Sequence, residues 1–222
     1  MPLLDLLLPQ RCVACAEPGT ALCARCAGRL RRLQPPLCER CGSPSAWPVA
    51  RCRECSGRRL AFARARAAVE YDEVVRRLVA AWKEHGLRRL ARLAADLVAD
   101  TVEPPLASAL VVVPADGDRA LQRGHHPAGR LAAELGRRWQ LPVLPLLARA
   151  RGTPRQRGLP LAERRRNVRG AFAPAARAPV RVCLVDDVYT TGATVDAAAS
   201  ALRRAGARQI EVITLARAIR GP

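Results

Sequence analysis

The segment 182–194 places an apolar run, two adjacent carboxylates and a hydroxyl-rich glycine turn one after another without a spacer. Its four apolar residues, 182–185, are typical of a strand that is buried on both faces of a parallel sheet. Ligands of such sheets bind just beyond the carboxyl ends of the strands. Asp186 and Asp187 follow the run directly, so we expect both carboxylates at the mouth of a ligand site.

The turn after the carboxylates has the composition of a phosphate loop. Gly192 allows close backbone approach, and 194–204 has the pattern of a helix whose first amides and dipole favour an anion. Asp186 and Asp187 can accept hydrogen bonds from a pair of ribose hydroxyls. The segment therefore predicts a site for a phosphorylated sugar. An ordinary strand followed by a capped helix would explain the apolar run and Thr194, but not the paired carboxylates.

The N-terminal quarter contains four CxxC pairs. They are Cys12 and Cys15, Cys23 and Cys26, Cys38 and Cys41, and Cys52 and Cys55. Two thiolates separated by two residues on a tight knuckle reach one tetrahedral ion, and two knuckles complete a structural zinc site. The eight cysteines therefore predict structural Zn²⁺, in as many as two sites.

The order of these pairs leaves the site arrangement open. The short gap between Cys15 and Cys23 favours sequential sites over interleaved ones. A disulfide framework is the alternative, but regular CxxC spacing without a sign of export is the intracellular metal pattern. Cys183 lies within the apolar run and is expected to be a buried packing residue.

The length of 222 residues allows one hydrophobic core of ordinary size and a small module that needs bound metal to be stable. We predict a zinc-binding module over 1–60 and a larger domain over 61–222. No run approaches the roughly 18 apolar residues of a membrane span, and the first eight residues lack the marks of an export signal. We therefore expect a cytoplasmic protein.

The positive net charge of the chain indicates anionic partners but does not indicate which kind. A formal net charge of +19 would attract pyrophosphate-bearing substrates as readily as a nucleic-acid backbone. An aromatic content of 3% leaves few stacking platforms for single strands. Lys83 is the single lysine among 38 basic residues, which sets it apart from the arginines.

After the cysteines, strand and helix patterns alternate. Helices are predicted over 72–84, 87–102, 128–139 and 194–204, and strands over 64–71, 109–113, 143–147, 182–185 and 209–216. This βαβ alternation predicts an α/β fold with a parallel sheet flanked by helices.

Residues 182–194 closely resemble the phosphoribosyl pyrophosphate signature of type I phosphoribosyltransferases. Nearly the whole chain resembles the ComF-like family of phosphoribosyltransferase-related competence proteins, including its GntX-like members. The resemblance rests on the CxxC ribbons, the Asp-Asp signature and a set of shorter motifs. These are Tyr71 and Lys83, Val113-Pro114 with Arg123-Gly124, and the segment 153–159 running into 163–172.

The resemblance implies a type I phosphoribosyltransferase fold behind an N-terminal double zinc ribbon. It implies that phosphoribosyl pyrophosphate binds, with Mg²⁺, at the nine signature residues. They are Asp186, Asp187, Val188, Tyr189, Thr190, Thr191, Gly192, Ala193 and Thr194. Asp186, Asp187, Lys83 and Arg123 are the candidate catalytic residues. Pyrophosphate would leave C1 of the ribose through an oxocarbenium-like state that positioning and charge stabilise, while Mg²⁺ neutralises the diphosphate.

One loop departs from the family pattern. Members usually have Arg-Gly-Phe-Asn-Gln where residues 123–127 of this chain are Arg-Gly-His-His-Pro, and Asp116 and Asp118 add acid nearby. In type I enzymes this loop cradles the leaving group. The changes should weaken pyrophosphate binding while sparing ribose 5-phosphate, unless His125 and His126 compensate by donating hydrogen bonds.

Three functions remain open from the sequence. The chain could be an active phosphoribosyltransferase of unknown acceptor, which an apolar pocket opposite Thr194 would favour. It could be a DNA-uptake factor that binds single-stranded DNA or a helicase partner and uses the sugar site as a sensor. A continuous basic groove that joins the zinc module to the core would favour this second function. It could be a regulator without turnover, which a blocked diphosphate loop would favour. A homodimer is compatible with all three.

Overall fold

The computed structural model describes residues 10–85, 89–115, 126–150 and 170–219. The helices in these ranges are α1 (Ala24–Ala27), α2 (Glu73–His85), α3 (Arg89–Ala99), α4 (Pro127–Trp139) and α5 (Ala193–Arg204). The strands are β1 (Arg64–Glu70), β2 (Leu110–Val112), β3 (Leu147–Arg149), β4 (Phe172–Pro174), β5 (Arg181–Tyr189) and β6 (Gln209–Arg217).

Four of the strands form a parallel sheet in the order β1-β6-β5-β2. Helices connect these strands, as the alternating sequence pattern predicts, because parallel neighbours need a long crossover. The remaining strands, β3 and β4, form a separate antiparallel pair. The predicted α/β fold with a parallel sheet flanked by helices is therefore confirmed.

Alternate residues of β5 enter two different hydrophobic clusters. Cys183 and Val185 pack with α2, α3 and α4 on one face of the sheet, where Trp82 is fully buried. Val182 and Leu184 pack on the other face with α5 and with the second group of cysteines. Burial on both faces explains why the strand is a continuous apolar run, and it places Cys183 in the core as expected.

The chain before β1 covers the open edge of the sheet. The Leu33 amide donates to the Ala68 carbonyl at 2.9 Å, and the Ala65 amide donates to the Arg40 carbonyl at 2.9 Å. These bonds use backbone groups of β1 that would otherwise be free on its outer edge. The cysteine-rich segment is therefore joined to the sheet by backbone hydrogen bonds as well as by side-chain packing.

Two sequence predictions need correction. The strand predicted over 143–147 is wrong: Val143 makes only an isolated bridge to Leu110, and the strand that forms is β3, which pairs with β4 instead. Pro142 and Pro145 flank the bridge and lack the N–H that a continuing ladder requires. β5 also runs beyond the predicted apolar residues, because pairing with β6 continues from Asp186 opposite Thr214 to Tyr189 opposite Arg217.

The four predicted helices are present with small shifts at their ends. Asp72 caps α2 by accepting a hydrogen bond from the Val75 amide at 3.0 Å, and Pro127 starts α4 where its missing N–H costs nothing. Among the helices that the structure describes, none is both long and apolar enough to cross a membrane.

Gly42 marks the closest approach between the cysteine-rich segment and the sheet. Its φ is +70°, and a Cβ there would lie 2.5 Å from the Ala65 carbonyl oxygen. Gly57, in the corresponding turn of the next knuckle, has a φ of +71° but no atom within 4 Å of a Cβ position. The two glycines share a left-handed backbone conformation, which would strain any other residue, and differ in the space around them.

We expect Gly42→Ala to lower the free energy of unfolding by about 3 kcal/mol, because it adds a steric overlap with β1 to the positive-φ strain. Gly57→Ala should cost about 1 kcal/mol, since it introduces the strain alone. Urea denaturation of both variants measures the difference. Equal losses would show that the knuckle does not press on β1.

Candidate functional site

The eight N-terminal cysteines form two sets in sequential order. Within each set the four sulfur atoms lie within 4.8 Å of one another. One set is Cys12, Cys15, Cys23 and Cys26, and the other is Cys38, Cys41, Cys52 and Cys55. The interleaved arrangement is therefore not the one observed.

The spacing and chemistry of both sets fit zinc. The Sγ atoms of Cys38 and Cys55 lie 3.6 Å apart and those of Cys41 and Cys52 lie 3.4 Å apart, close to the separation of two thiolates on one tetrahedral Zn²⁺. All of these cysteines are free, which argues against the disulfide alternative. Burial opposes ionisation of Cys12, but backbone amides that point at its sulfur outweigh burial and lower its pKa to about 6. Amides act in the same way on Cys38, whose pKa is about 7.

The two carboxylates of the signature lie in β5 and differ in their surroundings. Asp187 forms an ion pair with Lys83 of α2, with 2.7 Å between Oδ2 and Nζ. Asp186 accepts a hydrogen bond from the Asp187 amide at 2.9 Å. Burial, with a smaller contribution from the charge of Asp187, raises the pKa of Asp186 to about 8. The structure thus brings together three of the four predicted catalytic residues, while Arg123 lies outside the described residues.

The turn that follows β5 leads directly into α5. Gly192 precedes the helix with a φ of +73°, and the Ala193 amide donates to the Thr191 hydroxyl at 3.2 Å. Thr190 and Thr194 are exposed, so their hydroxyl groups are open to a ligand. The first turn of a helix of this length offers unpaired amide donors and a favourable dipole to an anion. The geometry is therefore suited to a phosphate beside the acidic pair.

Tyr189 lies beneath this turn. A side chain on Gly192 would overlap the Tyr189 hydroxyl, so the close packing requires glycine there. Tyr189 is 3% exposed and packs edge-on against Phe62, with 6.4 Å between ring centroids. Val188 lies between Tyr189 and the acidic pair in β5 and packs against the cluster on the α2 face. Tyr189 therefore supports the turn from below in this structure.

Arg217, the last residue of β6, connects Tyr189 to the second cysteine set. Its guanidinium carbon lies 4.5 Å from the centroid of the Tyr189 ring. Its Nη1 donates to the Cys41 carbonyl at 2.6 Å, and its Nη2 forms a 2.6 Å ion pair with Glu54. The Arg217 side chain is 1% exposed, so these partners replace water at its two terminal nitrogens, while Nε has no hydrogen-bond partner among the described residues.

Two further bonds join the second cysteine set to the signature. Arg58 donates to the Thr191 carbonyl at 3.0 Å, and the Ala61 amide donates to the Asp196 carboxylate in α5 at 2.7 Å. The sequence did not reveal the roles of Glu54, Arg58 or Arg217, because each is one charged residue among many. The one available signal was the position of Arg217 directly after the apolar residues Leu215 and Ala216 at the end of β6.

Comparison with known proteins agrees with this architecture. Residues 3–56 match the double zinc ribbon domain family. Competence protein F of Haemophilus influenzae is 31% identical to this chain over 226 residues, which cover 94% of this chain and 97% of that protein. The chain belongs to the competence protein F family.

More distant relatives extend the family. The DNA utilization protein YhgH of Salmonella typhi is 29% identical, with coverage of 96% of this chain and 100% of that protein. Competence protein ComFC of Bacillus subtilis is 25% identical, with coverage of 90% and 86%. The ComF-like family with an N-terminal zinc ribbon, predicted from the motifs, is thus confirmed.

A solved structure is similar over part of the chain. The purine phosphoribosyltransferase from Pyrococcus horikoshii covers 60% of this chain and 84% of its own, with a TM-score of 0.33 and 18% identity. A likeness this weak carries no argument about the site. The fold class rests on the parallel sheet, its flanking helices and the two cysteine sets.

We expect the Glu54 carboxylate to be needed to bury Arg217. Glu54→Ala should lower the free energy of unfolding by about 3 kcal/mol, because it leaves the buried guanidinium without its counter-charge. Ser43→Ala is the matched control: it removes the 3.3 Å hydrogen bond from Ser43 to Glu54 and should cost about 1 kcal/mol. Thermal and urea denaturation measure both. A Glu54→Ala loss no larger than that of the control would contradict this role.

The raised pKa of Asp186 predicts a pH-dependent stability. Between about pH 4 and pH 8 folded Asp186 keeps a proton that the unfolded chain releases, since the pKa rises from 3.8 to about 8 on folding. The contribution of this residue to the free energy of unfolding therefore falls as pH rises through that window. Asp186→Asn lacks the titration, so its stability relative to the unmodified protein should increase from pH 5 to pH 8.

Denaturant unfolding at several pH values measures this difference. Asp100→Asn is the control, because Asp100 is 62% exposed and lies in a turn after α3. A stability difference for Asp186→Asn that stays constant between pH 5 and pH 8 would refute the expected titration.

Proposed function

We propose that this protein binds the ribose phosphate portion of phosphoribosyl pyrophosphate at residues 186–194. One observation carries the proposal: three features meet at the carboxyl end of β5. They are Asp186, the ion pair between Asp187 and Lys83, and the turn before α5. The carboxylates are suited to the ribose hydroxyls, and the turn is suited to the 5′-phosphate.

A transfer reaction at this site would need few protein groups. Lys83 lies beside the acidic pair and could offset negative charge that develops on a departing diphosphate. Mg²⁺ bound to the diphosphate would supply further neutralisation, and Arg123 would be a second protein cation. The acceptor would be positioned next to C1, where its bond to C1 forms as the bond to pyrophosphate breaks, without a covalent intermediate on the protein. We therefore propose phosphoribosyl transfer, a pentosyl transfer reaction, to an acceptor that the site does not name.

The relatives support a role for this chemistry in handling DNA. Two of them are named as competence proteins and one as a DNA utilization protein. We propose that this chain acts in DNA uptake, in the cytoplasm, and that single-stranded DNA and a DNA-uptake helicase are its candidate partners. A homodimer belongs to the same proposal.

A second candidate function is binding without turnover. The recess at the end of β5 between Asp186 and Thr194 has a volume of only about 10 Å³, enough for one water molecule. A sugar phosphate would therefore lie on the open rim of the recess. Lys83 is also already paired with Asp187, which leaves less of its charge for a leaving group. Both features favour a sensor that recognises the ribose phosphate and reports its presence to the zinc module.

We expect Asp186→Asn with Asp187→Asn to abolish measurable binding of ribose 5-phosphate above about pH 8, where Asp186 has lost its proton, because amides present donors where carboxylates offer acceptors. Zinc content should stay the same and the thermal midpoint should hold or rise, since two neighbouring acids are removed. Titration calorimetry with ribose 5-phosphate, and with phosphoribosyl pyrophosphate with and without Mg²⁺, measures the effect. Release of pyrophosphate over time distinguishes transfer from binding alone.

The matched control is Asp100→Asn with Glu103→Gln, which removes two exposed acids in the segment after α3. This control should bind ribose 5-phosphate as the unmodified protein does. Retained binding in the Asp186 and Asp187 double variant would reject the site assignment. Loss of binding together with loss of the fold would show that the two carboxylates are structural.

A further inference from the structure

A second cavity lies beside the signature turn, between the second cysteine set and α5. Its volume is about 680 Å³, within the range of small-molecule sites. One wall is the chain that follows Cys55, and the other is the outward face of α5. The acidic pair does not line it, whereas Ala193 of the signature does, so this cavity adjoins the proposed ribose phosphate site on the side away from the carboxylates.

Three arginines converge on this cavity. Arg58 and Arg59 line it from the zinc module, and Arg204 lines it from the last turn of α5. Within the part of the chain that the structure describes, none of the three pairs with a carboxylate. Arg58 donates to the Thr191 carbonyl, Arg204 donates to the Phe172 carbonyl, and Arg59 has no partner among those residues.

One carboxylate lines the cavity among the described residues, and it is already engaged. Asp196 accepts the Ala61 amide at 2.7 Å, which uses one of its oxygens to join α5 to the zinc module. Three cations facing one engaged carboxylate leave an excess of positive charge at the cavity wall. Guanidinium groups bind phosphate with two parallel hydrogen bonds, so a phosphate is the anion that this wall fits best.

Apart from Ser200, whose hydroxyl donates to the Asp196 carbonyl, the rest of the wall is apolar and small. Leu60, Ala193 and Ala197 provide a surface without polar side chains, next to the arginines. A planar ring can lie on such a surface and also stack on a guanidinium plane, which compensates for the few aromatic side chains in this protein. A ligand that offers both a phosphate and a planar ring is a nucleotide.

We propose that this cavity binds a nucleotide unit through its phosphate, at a site that adjoins the signature turn and does not include the acidic pair. The unit is either a free nucleotide or one residue of a single strand, because both present the same phosphate and ring. Arg58 belongs to the cavity wall and also holds the Thr191 carbonyl, so an occupant of the cavity contacts a side chain that supports the signature turn.

Titration calorimetry at low salt tests the proposal with thymidine monophosphate, a short oligothymidylate and inorganic phosphate as probes. Thymidine monophosphate lacks the 2′-hydroxyl and so does not offer the pair of ribose hydroxyls proposed for the acidic pair. We expect Arg59→Gln with Arg204→Gln to weaken the first two by at least about tenfold, because two charge-assisted phosphate contacts are lost. Arg89→Gln with Arg92→Gln is the matched control: it removes two exposed charges from α3 and should change either affinity by less than about threefold. Tighter binding of the oligothymidylate than of the mononucleotide identifies a strand as the ligand, and the reverse identifies a free nucleotide.

The outcomes separate this proposal from the one for the signature. Arg59→Gln with Arg204→Gln should keep its affinity for ribose 5-phosphate, which also shows that the variant is folded. The Asp186 and Asp187 double variant should keep its affinity for the mononucleotide. If that double variant loses the mononucleotide while the arginine variant retains it, the nucleotide binds at the signature and the cavity proposal is overturned. Equal losses in the arginine variant and its control, or inorganic phosphate binding as tightly as the mononucleotide, would overturn it as well.

Discussion

The buried guanidinium group of Arg217 joins the parallel sheet to the zinc ribbon. Arg217 ends β6 inside the protein, where an unpaired charge is costly. The Cys41 carbonyl and Glu54, both in the zinc ribbon, accept from its two terminal nitrogens, and the face of Tyr189 lies against the guanidinium, while Nε has no hydrogen-bond partner among the described residues. The sheet alone would leave Arg217 without a counter-charge, so the second cysteine set is required to complete the core rather than being attached to it.

The two cysteine sets consequently relate to the sheet in different ways. Cys38, Cys41 and Cys55 share a hydrophobic cluster with β5 and α5, and this set also reaches the signature turn through Arg58. The first set packs in a small cluster of its own with Val74 at the start of α2. We propose a domain boundary near residue 60. The second cysteine set lies before this boundary but shares one hydrophobic core with the larger domain.

The sequence predicted those features that depend on local pattern. A continuous apolar run identified β5, and the regular CxxC spacing identified the zinc ribbon, because neighbouring residues determine both. The strand expected over 143–147 failed because two prolines remove its ladder donors, a local effect that the apolar run concealed. Arg217, Glu54 and Arg58 were missed for a different reason. Their roles come from contacts across more than 130 positions of sequence, which no periodicity records.

Lys83 gives the molecule a chemical property that follows from its composition. It is the single lysine of the chain, its side chain is 30% exposed, and its amine is paired with Asp187. An amine-selective reagent therefore has one side chain to modify, apart from the terminal amine, and that side chain stands at the edge of the acidic pair. A fluorophore or isotope label on Lys83 would report from a defined position beside the carboxyl end of β5. No cysteine would need to be added to the nine already present.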